Sequence, residues 1–391
     1  MSAFTAVYWK EVRENLRDRR TLINALVTGP LLGPVMFIML MNVTINREIA
    51  KADRPIAVPV IGADLAPNLV AALRTAGIDA QPALPDPENA VREQRADIVV
   101  RISPDYAKAW NKGQTVQVEL IYDSSRRDAS TPVMRVRSVV ESYGRREGAM
   151  RLIARGLSPT TAWPVQVAER DQATSQSRSG LMFSFLPYFF VLTVFLGGMY
   201  LAIDLTAGER ERQSLEPLFV NPVARWKILA GKLAAICTFS LVSLLLTVGA
   251  FMTAPRFIPT EKLGIALDLG WRFSGQVIVL MLPLILLLAA LQSLVSAFAK
   301  SYREAQTYLS ILMVVPILPS VLLSVIPVRA EPWMYAVPLL AQNLGIVQLL
   351  RGDGMPGWQL ATCLGGGFVA AVLAVWATAM LYRSERLAIS G

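Results

Sequence analysis

The chain has 391 residues, of which 53% are hydrophobic and only 17% are charged. Soluble domains carry about 25% charged residues, so this composition indicates a membrane protein. The formal net charge is +9, and the chain has no histidine. Because histidine is the commonest metal ligand and general base, its absence excludes zinc-protease motifs and histidine-based triads. The basic residues are not interleaved with aromatic residues in patches, which argues against nucleic-acid binding.

The amino-terminal segment, residues 1–20, predicts an amphipathic helix beside the membrane. Apolar residues recur at helical spacing from Phe4 to Leu16, and charged residues such as Lys10, Arg13 and Arg17 occupy the other side. Next to a span, such a helix is expected to lie in the membrane interface, in contact with lipid headgroups. An ordinary soluble helix is the alternative.

Six apolar runs are long enough to cross a bilayer, which takes about 20 residues. They cover residues 21–43, 181–203, 228–254, 276–298, 305–327 and 358–382. Pro316 and Pro319 are expected to bend the fifth span. Residues 335–350 are apolar but too few for a full crossing, which favours a re-entrant or interfacial segment. Basic residues are densest in the amino-terminal segment, in the loops after the second and fourth spans and in the tail, so both termini are predicted to be cytoplasmic.

The residues between the first two spans, 44–180, predict a separate α/β domain outside the cytoplasm. Strand patterns cover residues 54–61, 97–102 and 115–122, and helix patterns cover residues 66–76, 87–95 and 131–155. Strands that alternate with helices indicate an α/β domain. The predicted fold class is therefore an α-helical polytopic membrane protein of six transmembrane helices with this extracytoplasmic domain inserted after the first; residues 181–391 hold the other five spans.

The stretch 204–232, between the second and third spans, is more elaborate than a loop needs to be. It holds the charge cluster Glu209 to Arg212 and then an apolar face of Leu215, Leu218 and Phe219. Exposed apolar patches often mark protein interaction sites, so the pattern indicates a docking surface. Lys232, near the start of the third span, is expected to extend its ammonium group towards the membrane surface.

No catalytic set is visible, and the chain has neither a phosphate loop nor a metal-ligand cluster. The middles of the spans are nearly free of the ionisable side chains that proton- or ion-coupled carriers use. If the protein moves a substrate against a gradient, the energy is therefore expected to enter at the stretch 204–232.

That stretch resembles the cytoplasmic signature of type-two ABC export permeases. The matching positions are Gly208-Glu209-Arg210, Ser214-Leu215-Glu216-Pro217-Leu218, Pro222 with Arg225, and Gly231-Lys232. Pro217 departs from the family pattern and is expected to shorten the helix. The layout of spans also matches, and the stretch DIVVRISPDYAKAWNKGQTVQVELIYDSS is similar to the NatB-like subgroup, which is associated with sodium extrusion and with drug or peptide export.

The resemblance implies the permease half of an ATP-driven exporter in the bacterial inner membrane. Two copies of a separate ABC ATPase would bind ATP and Mg, and a second permease chain, most simply an identical one, would complete the transporter. The permease itself would hold no cofactor and catalyse no reaction. The residues implied in coupling to the ATPase are Glu209, Arg210, Glu211, Arg212, Ser214, Leu215, Glu216, Leu218 and Phe219. Arg13 or Arg17 is the expected partner of the charge cluster on the amino-terminal helix.

The cargo is less well determined than the energy source. Polar residues that could face a pathway are Asn24, Thr28, Asn42, Ser184, Thr193, Gln342 and Asn343. Their oxygen atoms could coordinate sodium, although each is more often a hydrogen-bonding residue between helices. Export of a drug, peptide or lipid is one alternative. A non-transporting sensor or scaffold that displays the outer domain is another.

Overall fold

A computed structural model of the chain describes residues 2–53, 56–126, 129–162, 170, 172–214, 223–259, 267–326 and 328–383. The chain folds as two compact units. Met1–Arg47 and Gln172–Gly391 form the first, which we call the membrane unit, and Glu48–Asp171 form the second, the inserted unit.

The two units differ in secondary structure. The α-helices in chain order are α1 (Ala3–Arg17), α2 (Arg19–Leu22), α3 (Gly29–Asp53), α4 (Pro67–Thr75), α5 (Pro87–Arg92), α6 (Tyr106–Asn111), α7 (Ser130–Ala154), α8 (Ser175–Met182), α9 (Leu186–Ile203), α10 (Glu209–Glu211), α11 (Arg225–Thr253), α12 (Trp271–Ser296), α13 (Tyr302–Leu312), α14 (Val314–Val325), α15 (Leu340–Leu350) and α16 (Gly357–Arg383). The strands are β1 (Ile56–Ile61), β2 (Ile78–Gln81), β3 (Ile98–Ile102) and β4 (Val118–Tyr122), all in the inserted unit.

Among the described residues, six helical segments are long and apolar enough to cross a membrane. They are Ile23–Arg47, Leu186–Glu211, Arg225–Phe257, Trp271–Ser296, Tyr302–Val325 and Gly357–Tyr382. The prediction of six helices with the length and composition of membrane spans is therefore confirmed, and their ends differ from the predicted ones by up to eight residues. The short helix α15, at eleven residues, has less than the length that a full crossing requires. A re-entrant course for it remains a prediction.

The fifth span is interrupted between two helices. One helix, α13, ends at Leu312 and the next, α14, begins at Val314. Pro316 has no backbone N–H, and its ring clashes with the carbonyl four residues earlier, which here belongs to Leu312. The break in the helix therefore falls one turn before the proline.

The helix α9 lies at the centre of the membrane unit, where it packs against α11 and α12. Two glycines allow α9 to approach α11 closely. A Cβ atom on Gly197 would lie 2.6 Å from Ser243 Oγ, and one on Gly198 would lie 2.6 Å from Ser240 Oγ. Small residues at such contacts are typical of helices packed in membranes.

The inserted unit contains a four-stranded sheet of order β2-β1-β3-β4. The strand β1 is parallel to β2 and β3, whereas β4 is antiparallel to β3. Side chains of the sheet, such as Val58 and Val100, pack against Leu69 and Leu73 of α4 and Val136 of α7. The unit therefore has a hydrophobic core of its own. Its placement outside the cytoplasm remains a prediction.

Three strands fall within the ranges that the sequence predicts, and one strand and one helix were not predicted. The missed strand β2 has the sequence Ile-Asp-Ala-Gln, and only Ile78 is buried in it. An edge strand of four residues with one buried side chain has neither an apolar run nor a clear alternation. The missed helix α6 has only six residues, too few to show a helical period.

Candidate functional site

The coupling stretch, residues 204–232, is described on both sides of a gap. The structure describes residues 204–214 and 223–232. Leu215, Glu216, Leu218 and Phe219 lie outside the described residues, so the apolar docking face remains a prediction. The described residues show how the charged part of the stretch is anchored.

The stretch begins with a π-helical turn, Asp204–Gly208, which continues directly from α9 into α10. A π-turn contains one residue more than the regular ladder and is often found at functional sites. One additional residue rotates the following side chains by about 100° around the helix axis. Glu209, which follows this turn, is buried with 6% of its surface exposed.

Glu209 contacts Lys232 of the third span, and this ion pair is the centre of the site. Lys232 Nζ bonds to Glu209 Oε2 and also donates to the carbonyl oxygen of Leu205 at 2.8 Å. Only 2% of Lys232 is exposed. The prediction that Lys232 extends to the membrane surface is therefore wrong. Removing an ammonium group from water is costly unless it is paired, and the carboxylate together with the carbonyl provides the pairing.

The amino-terminal helix α1 reaches the same ion pair. Lys10 Nζ lies 3.8 Å from Glu209 Oε1 and 3.3 Å from Glu11 Oε1. Glu11 and Asn15 are buried, with 1% and 4% of their surfaces exposed. Burial raises the pKa of the Glu11 carboxyl, and the charge of Glu209 acts in the same direction.

Arg13 or Arg17 is the predicted partner of the charge cluster on α1, but the residue that contacts the cluster is Lys10. The face of α1 that packs on α11 contains Glu11, Val12 and Asn15. Arg13 is two residues, or about 200°, around the helix from Glu11 and is exposed. Its guanidinium carbon instead lies 6.0 Å from the centre of the Trp9 ring. The apolar pattern alone did not indicate that α1 would bury two polar side chains.

The other residues of the charge cluster, Arg210 to Arg212, bind different parts of the membrane unit. Arg210 Nη1 donates to the carbonyl oxygen of Ala299 at 3.5 Å, just after α12. Glu211 Oε2 accepts a hydrogen bond from the backbone N–H of Tyr302, the first residue of α13, at 2.7 Å. Arg212 Nη1 lies 2.9 Å from Asp204 Oδ1, and Ser214 Oγ donates to the Glu209 carbonyl at 3.1 Å. The cluster therefore connects the stretch to α1, α11, α12 and α13.

Sequence reasoning missed three members of this site: Lys10 as a partner, Glu11 and Lys232. A signal was present for Lys232, because an ionisable residue inside an apolar run is a functional-site hypothesis by default. The third span begins at Arg225, three residues before its predicted start, and this places Lys232 two turns inside the helix. Glu11 gives no such signal, since a glutamate in a charged helix is ordinary.

Most of the predicted pathway residues are held by hydrogen bonds within the protein. Thr193 Oγ1 donates to the Gly29 carbonyl at 3.4 Å, and Asn42 Nδ2 donates to the Phe257 carbonyl at 2.9 Å. Gln342 Nε2 donates to the carbonyl oxygen of Leu280, in α12, at 3.5 Å. These residues link helices, the more common role that the sequence analysis allowed for them.

The structure brings only two of the seven pathway candidates together. Ser184 and Asn343 line one groove of about 590 Å³. Asn24 is half-buried and Thr28 is exposed, both on the π-helical segment Ile23–Thr28 that precedes α3. Within the described part of the chain, no group of three or more Cys, Asp or Glu side chains could hold a metal ion.

Comparison with known proteins identifies the family. The model of the ABC-2 family transporter protein matches residues 19–380, so the chain belongs to this family. The chain is also 26% identical, over 376 residues, to the ABC transporter permease protein NatB of Bacillus subtilis (strain 168), with 95% of each chain covered. No solved structure matches the chain. Members of the family are permease subunits of ABC transporters, typically non-catalytic, and the family implies a partner ATPase subunit.

Proposed function

We propose that this protein is the membrane-spanning permease half of an ATP-driven exporter. The observation that supports this most directly is the buried Glu209–Lys232 pair, which connects the coupling stretch to the third span. A loop that served only to reverse the chain would have no reason to bury two opposite charges. Breaking such a pair costs about 3–5 kcal/mol, so the stretch and the span move together.

In this proposal the energy comes from a separate ATPase. Two ATPase subunits bind ATP with Mg and approach one another, and each displaces the coupling stretch of one permease chain. The apolar residues Leu215, Leu218 and Phe219 contact the ATPase, and Glu209 passes the displacement to α11 and α1. Two identical permease chains complete the transporter in the bacterial inner membrane, with both termini cytoplasmic and the inserted unit on the outer side.

Sodium is one candidate cargo, on the basis of the resemblance to NatB-like permeases, and a drug, peptide or lipid is the other. ATP hydrolysis by the purified complex in proteoliposomes distinguishes them. If sodium is the cargo, hydrolysis responds to sodium chloride and not to the same concentration of potassium chloride. An equal response to both salts, with stimulation by an organic compound, assigns organic cargo instead.

The docking claim is tested by purification of the tagged permease together with the ATPase. We expect a Leu218→Asp, Phe219→Asp double variant to insert into the membrane but to lose the ATPase. Leu157→Asp is the matched control, because Leu157 is an exposed apolar residue of the inserted unit. The ATPase should stay with that variant. Full recovery of the ATPase with the double variant would contradict the docking face, whereas the sensor or scaffold hypothesis predicts that no ATPase is recovered even with the parent protein.

A further inference from the structure

A groove of about 590 Å³ lies in the membrane unit between α8, α14 and α15. It is found at the end of α9 that is away from the coupling stretch: Ser184 precedes α9, whereas Asp204 follows it. The volume is in the range of ligand pockets, about 300–1,000 Å³. Nothing in the coupling mechanism uses this groove.

The walls of the groove are mainly apolar and carry a few polar groups. Leu323 and Val325 come from α14, and Leu344 and Val347 come from α15. The polar groups include the hydroxyls of Ser177 and Ser184 and the amide of Asn343. An apolar cavity with a few convergent polar groups is the usual composition of a site for an organic ligand.

Arg351 is the one cation among the described residues that line the groove. Its side chain crosses α8 at Gly180, where a Cβ atom would lie 2.1 Å from Arg351 Cγ, so this course requires glycine. Arg351 Nε lies 3.2 Å from Asp353 Oδ2, and about half of the side chain is exposed. A guanidinium group carries five N–H donors, and the two terminal nitrogens provide four of them. They can bind an anionic group in bidentate geometry.

This composition discriminates between classes of ligand. A bare alkali cation requires several oxygen ligands, and a nearby arginine repels it. None of the described lining residues carries a carboxylate. Asp353 lies at Nε of Arg351, and a wholly apolar ligand would offer no partner to the two terminal nitrogens in the groove. The ligand that satisfies both the walls and the cation has an apolar body and an anionic head.

We infer that the groove binds a single-chain lipid with a carboxylate head, which enters from the surrounding bilayer. Its chain lies between α14 and α15, and its carboxylate binds the guanidinium group of Arg351. The inference rests on the proposed export function in one respect: if the protein is an exporter, such a lipid is its cargo or a close analogue of the cargo. Binding itself does not require the ATPase, and the two proposals can therefore fail separately.

The test uses the full-length permease in nanodiscs of zwitterionic lipid. The probe is a palmitic acid with a photoreactive diazirine in its chain and a terminal alkyne, compared with the alcohol and the amine of the same chain. We expect the acid to label peptides of α14 and α15 about ten times more than the amine does, since a charge-assisted contact is replaced by repulsion. Equal labelling by the three probes overturns the inference.

Variants test the contact of the lipid head and the contact of the lipid chain separately. Arg351→Gln should reduce labelling by the acid to the level of the alcohol, whereas Arg351→Lys should retain most of it. Arg329→Gln is the matched control, because Arg329 is an exposed arginine outside the groove. Val347→Trp should reduce labelling by all three probes. Unchanged labelling in both Arg351→Gln and Val347→Trp contradicts the site, and each variant is first shown to keep the melting temperature of the parent.

Co-purification of the ATPase with the same variants separates the two proposals. If labelling lacks head selectivity but the ATPase is retained, the inference about the groove is wrong and the exporter proposal stands. If the ATPase fails to associate with the parent protein as well, the exporter proposal is wrong, whatever the labelling shows.

Discussion

At the scale of single residues, Lys232 decides how the coupling stretch is held. Its ammonium group is almost fully buried and has two oxygen partners, Glu209 Oε2 and the Leu205 carbonyl. A buried ion pair adds little net stability compared with apolar residues of the same size. The loss of one partner, however, leaves an uncompensated charge. The pair therefore determines where the stretch lies more than it stabilises the fold.

The first prediction compares the loss of one partner of the ion pair with the loss of both. Lys232→Met should lower the free energy of unfolding by about 3–5 kcal/mol, because the buried Glu209 then keeps only the half-exposed Lys10, at 3.8 Å, as a cation. The double variant Glu209→Met, Lys232→Met should recover most of that loss. Denaturant unfolding of the purified permease in mixed micelles measures both values, with Lys300→Met as the exposed control. A double variant as unstable as the single one would contradict the argument.

Glu11 gives a prediction about pH. Burial raises the pKa of its carboxyl above the ordinary 4.5, against the opposing charges of Lys232 and Lys10. Because the folded-state pKa is the higher one, the stability from protonated Glu11 is present below pH 4.5 and is lost as the pH rises through the raised value. Glu209, Lys232 and Lys10 face the same cluster, so the comparison with a Glu11→Gln variant isolates Glu11.

The measurement is the melting temperature of the parent minus that of Glu11→Gln, from about pH 4.5 to about pH 8. We expect this difference to fall as the pH rises and then to become constant. A Glu14→Gln variant serves as the control, because Glu14 is exposed in the same helix. A parent-minus-Glu11→Gln difference that does not change with pH would contradict the assigned burial of the Glu11 carboxyl.

At the scale of elements, the sequence predicts spans well because one property, an apolar run of sufficient length, determines them. Interruptions are harder to place. Pro316 predicts a bend, but the ends of the two helices at Leu312 and Val314 depend on how the freed backbone groups are arranged. The strand β2 could not be predicted at all, because its pairing with β1 holds it in place and its own residues carry almost no pattern.

The contact between α9 and α11 gives a prediction at this scale. Gly197→Ala places a Cβ atom 2.7 Å from Ser243 Cβ, so one helix must shift. Overpacking of this kind costs about 1–3 kcal/mol. Gly249→Ala in α11 is the matched control, because its Cβ would have no neighbour within 4 Å. Alanine in a helix should stabilise that variant by up to about 1 kcal/mol relative to glycine.

Adding Ser243→Gly to Gly197→Ala tests whether the contact is the cause. The reciprocal change returns the space that the new methyl group needs, so part of the lost stability should be regained despite the cost of glycine in a helix. The readout is again the free energy of unfolding. If Ser243→Gly only adds to the loss, the close approach at Gly197 does not explain the effect.

At the scale of the whole molecule, the sequence predicts where energy enters but not how it is transmitted. The charge cluster and the family pattern both indicate the stretch 204–232. The partners of the cluster could not be predicted, since Lys10 and Lys232 are far from Glu209 in the chain and the π-turn changes the direction of Glu209. The grouping of the pathway residues could not be predicted either, because the composition of a helix does not indicate which side chains line the same groove.

The last prediction tests transmission by labelling. A fluorophore at position 214 reports displacement of the coupling stretch, and one at position 13, on the exposed side of α1, reports displacement of that helix. In the parent complex with its ATPase, a non-hydrolysable ATP analogue should change the signal at both positions. In the Glu209→Met, Lys232→Met variant the label at position 214 should still respond, whereas the response at position 13 should fall by at least about half, because α1 contacts the stretch through Lys10 and Glu209. An undiminished response at position 13 would show that the buried charges position the stretch without transmitting its displacement to α1.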